Sequence, residues 1–227
     1  MATRANALTA MAKAPVPGQV KTRLLSVFTA EEAATFSRSL LVDQLNHLQE
    51  LDSTDFYLAF APDDAHSLME QITPACFQLF PQQGDDLGGR MAAIFEKLFQ
   101  MGHKNVALIG GDLPPVPLHF LAEAYRFLES SNRGVVLGPS RDGGYYLVGS
   151  NRPMPEIFQS MTWSHSRVLA QTLERLAALE IDFHLLPSWF DIDTPEDLRH
   201  LRSVLDASLK KAMPNTASLL QGLALKK

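Results

Sequence analysis

Cysteine is almost missing from this sequence. Cys76 is the only one in 227 residues, which excludes an internal disulfide framework and any zinc site built on several thiolates. Its setting, Ala75-Cys76-Phe77-Gln78-Leu79-Phe80, predicts a small apolar residue in a buried strand. Long hydrophobic runs are missing too. No apolar stretch approaches the length of a membrane-crossing helix, so no membrane span is expected. The N-terminus lacks the apolar segment of a signal peptide, and a cytoplasmic location is expected. Positive charge is in deficit: 20 Lys and Arg against 25 Asp and Glu leave a formal net charge of −5. Such a chain has no basic field to draw in a phosphate backbone, so nucleic acid is not expected as a partner. A local basic site for a small anion stays open.

What is present is ordinary globular material. Hydrophobic residues make up 46% and charged residues 20%, and the length suits one domain that folds without a metal or disulfide staple. Weakly apolar Ala5–Ala12 reads as a first strand, closed by Pro15 and Pro17. Further strands are expected at 56–60, 76–80, 105–109, 134–138, 145–148 and 183–186. Helical patterning fills the gaps between most of them. Thr29-Ala30-Glu31-Glu32 is a capping box. Thr194-Pro195-Glu196-Asp197 opens the last long helix, with a cap, a proline at the first helical position and acids in the first turn. This alternation predicts an α/β fold: a single-domain, mainly parallel sheet with helices on both faces. The domain is expected to span 1–213, with 214–227 as a C-terminal tail without a clear element. In such sheets ligands bind beyond the carboxyl ends of the strands.

Four loops at such ends carry the chemistry. The first runs Ala12-Lys13-Ala14-Pro15-Val16-Pro17-Gly18-Gln19-Val20-Lys21-Thr22-Arg23-Leu24. Lys13, Lys21 and Arg23 stand where no acid occurs before Glu31. Pro17 and Gly18 shape the loop, and its amides and cations suit a di- or triphosphate. It is not a Walker loop, and a plain solvated connection is the competing reading. The second, Gly110-Gly111-Asp112-Leu113-Pro114, puts a carboxylate at a strand end. Asp112 could hold a metal or cap the next helix, though Pro114, Pro115 and Pro117 separate it from the helix start. The third, Phe190-Asp191-Ile192-Asp193-Thr194, places Asp191 and Asp193 two apart. In extended chain both face one side and can converge on a cation, or they merely favour the helix dipole. The fourth, Ser140-Arg141-Asp142-Gly143-Gly144-Tyr145, is a hairpin signal. Read functionally, its glycines let a substrate approach, with Asp142 and Tyr145 as polar contacts. The stretch Asp85-Asp86-Leu87-Gly88-Gly89-Arg90 is either a nucleotide border or a loop.

Taken in order, A-K-x-P-x-P-G-x-V-K-T-R-L, G-x-D-x-P, D-G-G-Y-Y-L and D-I-D-T-P-E-D-L resemble a bacterial glycosyltransferase-like or nucleotidyltransferase-like family. Its fold is the GT-A, nucleotide-diphosphosugar transferase fold, and its relatives include the molybdenum cofactor and phospholactate guanylyltransferases. The resemblance covers Ala12 to about Leu201. It implies a metal-dependent transferase that moves a nucleotidyl or glycosyl group from a nucleoside triphosphate or nucleotide sugar to a small-molecule acceptor. Lys13, Lys21 and Arg23, with Pro17 and Gly18 in the same loop, would hold phosphates. Asp112 would be the first metal ligand and Asp193 the second, with Asp191 as the alternative. Asp86, Gly88 and Arg90 would border the nucleotide, and Asp142, Gly143, Gly144 and Tyr145 would face the acceptor. The metal would be Mg²⁺ or Mn²⁺, which suit hard oxygen ligands. A homodimer is left open. The competing class is a non-catalytic nucleotide-binding regulatory or scaffold domain, and no general base is evident.

Overall fold

The computed structural model describes residues 3–163 and 165–222. Among them seven strands form one sheet in the order β3-β2-β1-β4-β6-β5-β7. The strands are β1 (Asn6–Lys13), β2 (Thr54–Ala61), β3 (Phe77–Pro81), β4 (Asn105–Gly110), β5 (Gly134–Pro139), β6 (Tyr145–Ser150) and β7 (Asp182–Leu185). Only β6 runs against its neighbours; all other pairings are parallel. The helices are α1 (Ala30–Leu48), α2 (His66–Ile72), α3 (Leu87–Gln100), α4 (Leu118–Ser130), α5 (Val168–Ala178), α6 (Pro195–Val204), α7 (Ala207–Ala212) and α8 (Pro214–Gly222).

Helices cover both faces, as the alternation predicts. Leu41, Leu45 and Leu48 of α1 and Leu121 and Ala124 of α4 pack on one face. Met91, Ile94 and Leu98 of α3 and Leu176 of α5 pack on the other. The sparse β-branching of β1 follows from its place. It lies between β2 and β4, and Ala7, Leu8, Thr9 and Ala10 are each fully buried. Small side chains there let helices close on both sides of a central strand. The chain leaves β1 toward β2 on one side and enters β4 on the other. The carboxyl ends of β1 and β4 therefore flank a topological switch point, where α/β sheets open a crevice.

Two expectations need correction. Cys76 is exposed and precedes β3, which begins at Phe77; its thiol donates to Gln49 Oε1 at 3.5 Å. Cys76 lies in the turn that leads into β3, an edge strand. The stretch from Pro214 is a helix rather than a tail without an element, and Met213, Thr216, Ala217 and Leu220 are buried. Its first amides find a partner far away in sequence. The Asp43 carboxylate, 1% exposed on α1, accepts from the amides of Asn215 and Thr216 at 3.1 and 2.8 Å and from Asn215 Nδ2 at 2.7 Å. That is an N-cap supplied from another helix. Residues 223–227 lie outside the described residues.

Candidate functional site

β1 ends at Lys13, and the loop after it is pinned at both ends. Ala14 N donates to Ala61 O at 2.7 Å, and Gln82 Nε2 donates to the carbonyls of Ala12 and Ala59 at 3.3 and 2.9 Å. Val20 and Leu24 are buried and anchor the far end. Between them Lys21 adopts a left-handed backbone, φ 50 and ψ 36, just before the 3-10 turn Thr22–Leu24. This turns the side chain inward. Lys21 Nζ lies 2.8 Å from Asp112 Oδ1 and 3.0 Å from Asp193 Oδ1. The lysine side chain is 2% exposed, the two carboxylates 54% and 41%. Burial works against the ammonium, but the two carboxylates outweigh it and hold the lysine above its ordinary pKa.

Backbone contacts carry both carboxylates to this point. Asp112 follows β4 after Gly111, and its carbonyl accepts from Ile192 N at 3.2 Å. Residues 189–193 run extended beside the end of β5: Trp189 N donates to Pro139 O at 3.0 Å, and Ser140 pairs with Trp189. Ile192 is fully buried, so Asp191 and Asp193 emerge on the other side. They separate there. Asp193 meets Lys21, whereas Asp191 accepts from Ser140 Oγ at 3.2 Å. Burial first, then the charges of Asp193 and Asp142, raise the Asp191 pKa. Thr194 and Asp197 form the capping box of α6, and α4 starts at Leu118 with no side-chain cap. Neither Asp112 nor Asp193 is occupied in capping.

This cluster divides two hollows. One, of about 330 Å³, is cationic and is lined by Lys13, Lys21, Arg23 and Arg90 together with Gln19 and Thr22. The other, of about 300 Å³, holds Asp142, Asp191, Tyr145, Trp163 and His165 over an apolar floor that includes Met91 and Leu108. Asp112 and Asp193 line both. A cationic hollow and an acidic hollow thus meet at one pair of carboxylates.

Residues 44–165 match a family described as an uncharacterized protein conserved in bacteria, DUF2064. The chain belongs to the DUF2064 family. It is similar over its length to a solved structure from Desulfovibrio desulfuricans G20, provisionally described as a nucleotide-diphospho-sugar transferase. Identity is 31%, coverage 97% of this chain and 95% of that one, and the TM-score 0.89. It shares a fold with the cytidylyltransferase of Leptospira borgpetersenii serovar Hardjo-bovis, at 12% identity, 99% and 100% coverage and a TM-score of 0.57. The 4-diphosphocytidyl-2C-methyl-D-erythritol synthase of Anaerococcus prevotii DSM 20548 is similar at 11% identity, 88% and 96% coverage and a TM-score of 0.58. No curated protein matches the chain significantly. The fold is thus that of the nucleotide-diphospho-sugar transferases.

The remaining expected residues of this DUF2064 chain divide into those that reach a hollow and those that do not. Pro17 and Gly18 are exposed at the loop's bend and line neither hollow. Asp86 caps α3, its Oδ1 accepting from Gly89 N at 2.7 Å, and it too lines neither. Asp142, Gly144 and Tyr145 line the acidic hollow, while Gly143 shapes the hairpin behind it. Tyr145 offers its ring. Its hydroxyl is buried toward Thr172, and burial lifts its pKa above the ordinary tyrosine range. Trp163 and His165 carry no signal in the sequence, where they sit in a short polar segment without periodicity, and Ser140 belongs to the fourth loop but has no role suggested there.

Gly88 has a structural task rather than an open face. A side-chain carbon there would lie 2.6 Å from the Trp163 ring. Gly88→Ala is expected to push Trp163 away and to cost about 1–3 kcal/mol by overpacking. Tryptophan fluorescence and a melting curve check this; an unchanged spectrum and melting temperature would show that the ring moves freely.

Proposed function

We propose that this protein is a transferase that binds a nucleoside triphosphate or nucleotide sugar in the cationic hollow and passes a nucleotidyl or glycosyl group to a small acceptor in the acidic one. The observation that carries this reading is the meeting of the two hollows at Asp112 and Asp193. The 31% identical relative, described as a nucleotide-diphospho-sugar transferase, and the cytidylyltransferase that shares the fold support it.

The donor set fits a divalent cation. Two hard carboxylates, both more than a third exposed, converge on one point, where Lys21 Nζ stands in the ligand-free protein. Among the described residues no group of three or more His, Cys, Asp or Glu is arranged to hold a metal. The protein would thus supply two ligands, Asp112 and Asp193, and leave the rest to phosphate and water. Bound there, Mg²⁺ or Mn²⁺ would supply counter-charge to phosphate oxygens.

The chain's own groups do the rest. Lys13, Lys21, Arg23 and Arg90 offset the charge that gathers on the leaving phosphate. Arg23 can grip two oxygens at once, which lysine cannot. Asp191, fixed by Ser140 and facing the second hollow, is placed to accept a proton from an acceptor hydroxyl. Tyr145 and Trp163 give the acceptor flat apolar walls.

A thermal-shift screen of nucleoside triphosphates and nucleotide sugars with Mn²⁺ tests the reading. A preferred ligand at 100 times its dissociation constant should add about 2.7 kcal/mol. No shift with any of them would end it. With the preferred nucleotide in hand, Arg23→Ala should weaken binding about 10- to 150-fold, the loss of one charge-assisted hydrogen bond. Arg23→Lys should also weaken it, though charge is kept. Calorimetry that finds both variants as tight as the parent would remove Arg23 from the phosphate site.

A further inference from the structure

An ammonium awaiting phosphate is expected to stand in the open, solvated and mobile. Lys21 instead has its side chain 2% exposed and its Nζ within 3.0 Å of two carboxylates that come from distant parts of the chain. Its left-handed backbone fixes the root of the side chain and aims it at the pair. The carboxylates are the more open partners, at 54% and 41% exposure. The ammonium therefore sits at the convergence point itself, where a divalent ion would have to sit to touch both Oδ1 atoms. A cation arriving there meets a fixed positive charge at hydrogen-bond range, and the pair's charge of −2 is already halved.

We propose that Lys21 is a tethered stand-in for the divalent cation. In the ligand-free protein its ammonium closes the Asp112–Asp193 pair, and the pair opens to Mg²⁺ or Mn²⁺ only when phosphate oxygens draw the ammonium into the cationic hollow, which Lys21 also lines. The inference rests on the transferase reading of this site. The movement asked of the lysine is a rotation of its four-carbon stem from the carboxylate pair toward the cationic hollow it already borders. Two consequences follow. Metal and nucleotide bind with positive coupling, each raising the affinity for the other by the same factor. The free protein keeps its carboxylates paired and does not collect divalent ions.

The test titrates the full-length protein with Mn²⁺ alone and follows the free-ion resonance signal. The parent should bind Mn²⁺ weakly, and Lys21→Met should bind one ion about tenfold more tightly or better. Adding Asp112→Asn to Lys21→Met should remove the gained site. Mn²⁺ should also raise the melting temperature of Lys21→Met and leave that of the parent in place. Lys21→Gln serves as the neutral variant should Lys21→Met not fold. Equal Mn²⁺ affinity in parent and neutral variant overturns the proposal. So does a parent that, without nucleotide, binds one Mn²⁺ tightly at a site lost in Asp112→Asn, a measurement that needs no lysine variant. These titrations contain no nucleotide, so they are separable from the screen above. A flat screen defeats the transferase reading; an unchanged Mn²⁺ affinity defeats this one.

Discussion

Asp112→Asn should lower turnover by about 10²–10³-fold while the protein melts within a few degrees of the parent. The carboxylate is more than half exposed, and asparagine keeps an oxygen that can accept from Lys21, so packing changes little. What is lost is one unit of negative charge at the junction of the two hollows. A divalent ion held by two carboxylates would then be held by one, with the phosphate charge opposite less well opposed. Asp193→Asn should match the loss, since its Oδ1 shares the same ammonium. Asp191→Asn separates the two acids of the segment. It should leave the Mn²⁺ requirement as it is, because Asp191 is engaged by Ser140 and not by Lys21. Steady-state product release at several Mn²⁺ concentrations measures all three. Turnover within about threefold of the parent in Asp112→Asn would remove the metal-assisted reading.

The sequence made the sheet legible because its strands are short apolar runs, most of them followed by a helical pattern. Strand order was not legible. It depends on which parallel neighbours pair, and β1 shows no sign of its central place beyond its small residues. The capping signals at Thr29 and Thr194 were readable since they are local, and both capping boxes are present. The start of α8 was not readable for the converse reason. Its cap is Asp43, on α1 and far away in sequence, and nothing beside Pro214 announces it. The same limit governs the candidate site. Spacing suggested that Asp191 and Asp193 could converge on one cation; both line the acidic hollow, but Asp193 meets Lys21 and Asp191 meets Ser140. Spacing could not show that Lys21 would reach Asp112 and Asp193 at once. Three loops had to meet first, through the Ile192–Asp112 backbone contact and the pinned loop after β1. Trp163 stayed hidden because its partner, Gly88, lies far back in the chain and is recognisable only as an absence of side chain.

Gly143→Ala should destabilise the protein by about 2–4 kcal/mol, far more than Gly144→Ala next to it. Both glycines stand in the hairpin between β5 and β6, yet their surroundings differ. Gly143 has φ +88, and a side-chain carbon there would lie 2.1 Å from the Ser166 carbonyl oxygen. Its own carbonyl accepts from Leu169 N at 2.9 Å, so the hairpin and the start of α5 are clamped together at this residue. A methyl group must therefore break a favourable turn and push back the segment that carries His165 and Val168 into the acidic hollow. Gly144 has no positive φ, and an added carbon would meet only Asp142 Oδ1, at 3.2 Å. For a chain of this size the loss at Gly143 corresponds to about 5–15 °C in melting temperature. The functional consequence should be one-sided. Use of the acceptor should fall, while nucleotide affinity, which the proposed function assigns to the opposite hollow, should hold to within about twofold of the parent in calorimetry at a temperature where the variant is folded. Matching melting temperatures for the two alanine variants would contradict the clamp. A nucleotide affinity that falls in step with acceptor use would contradict the division of the site into two hollows.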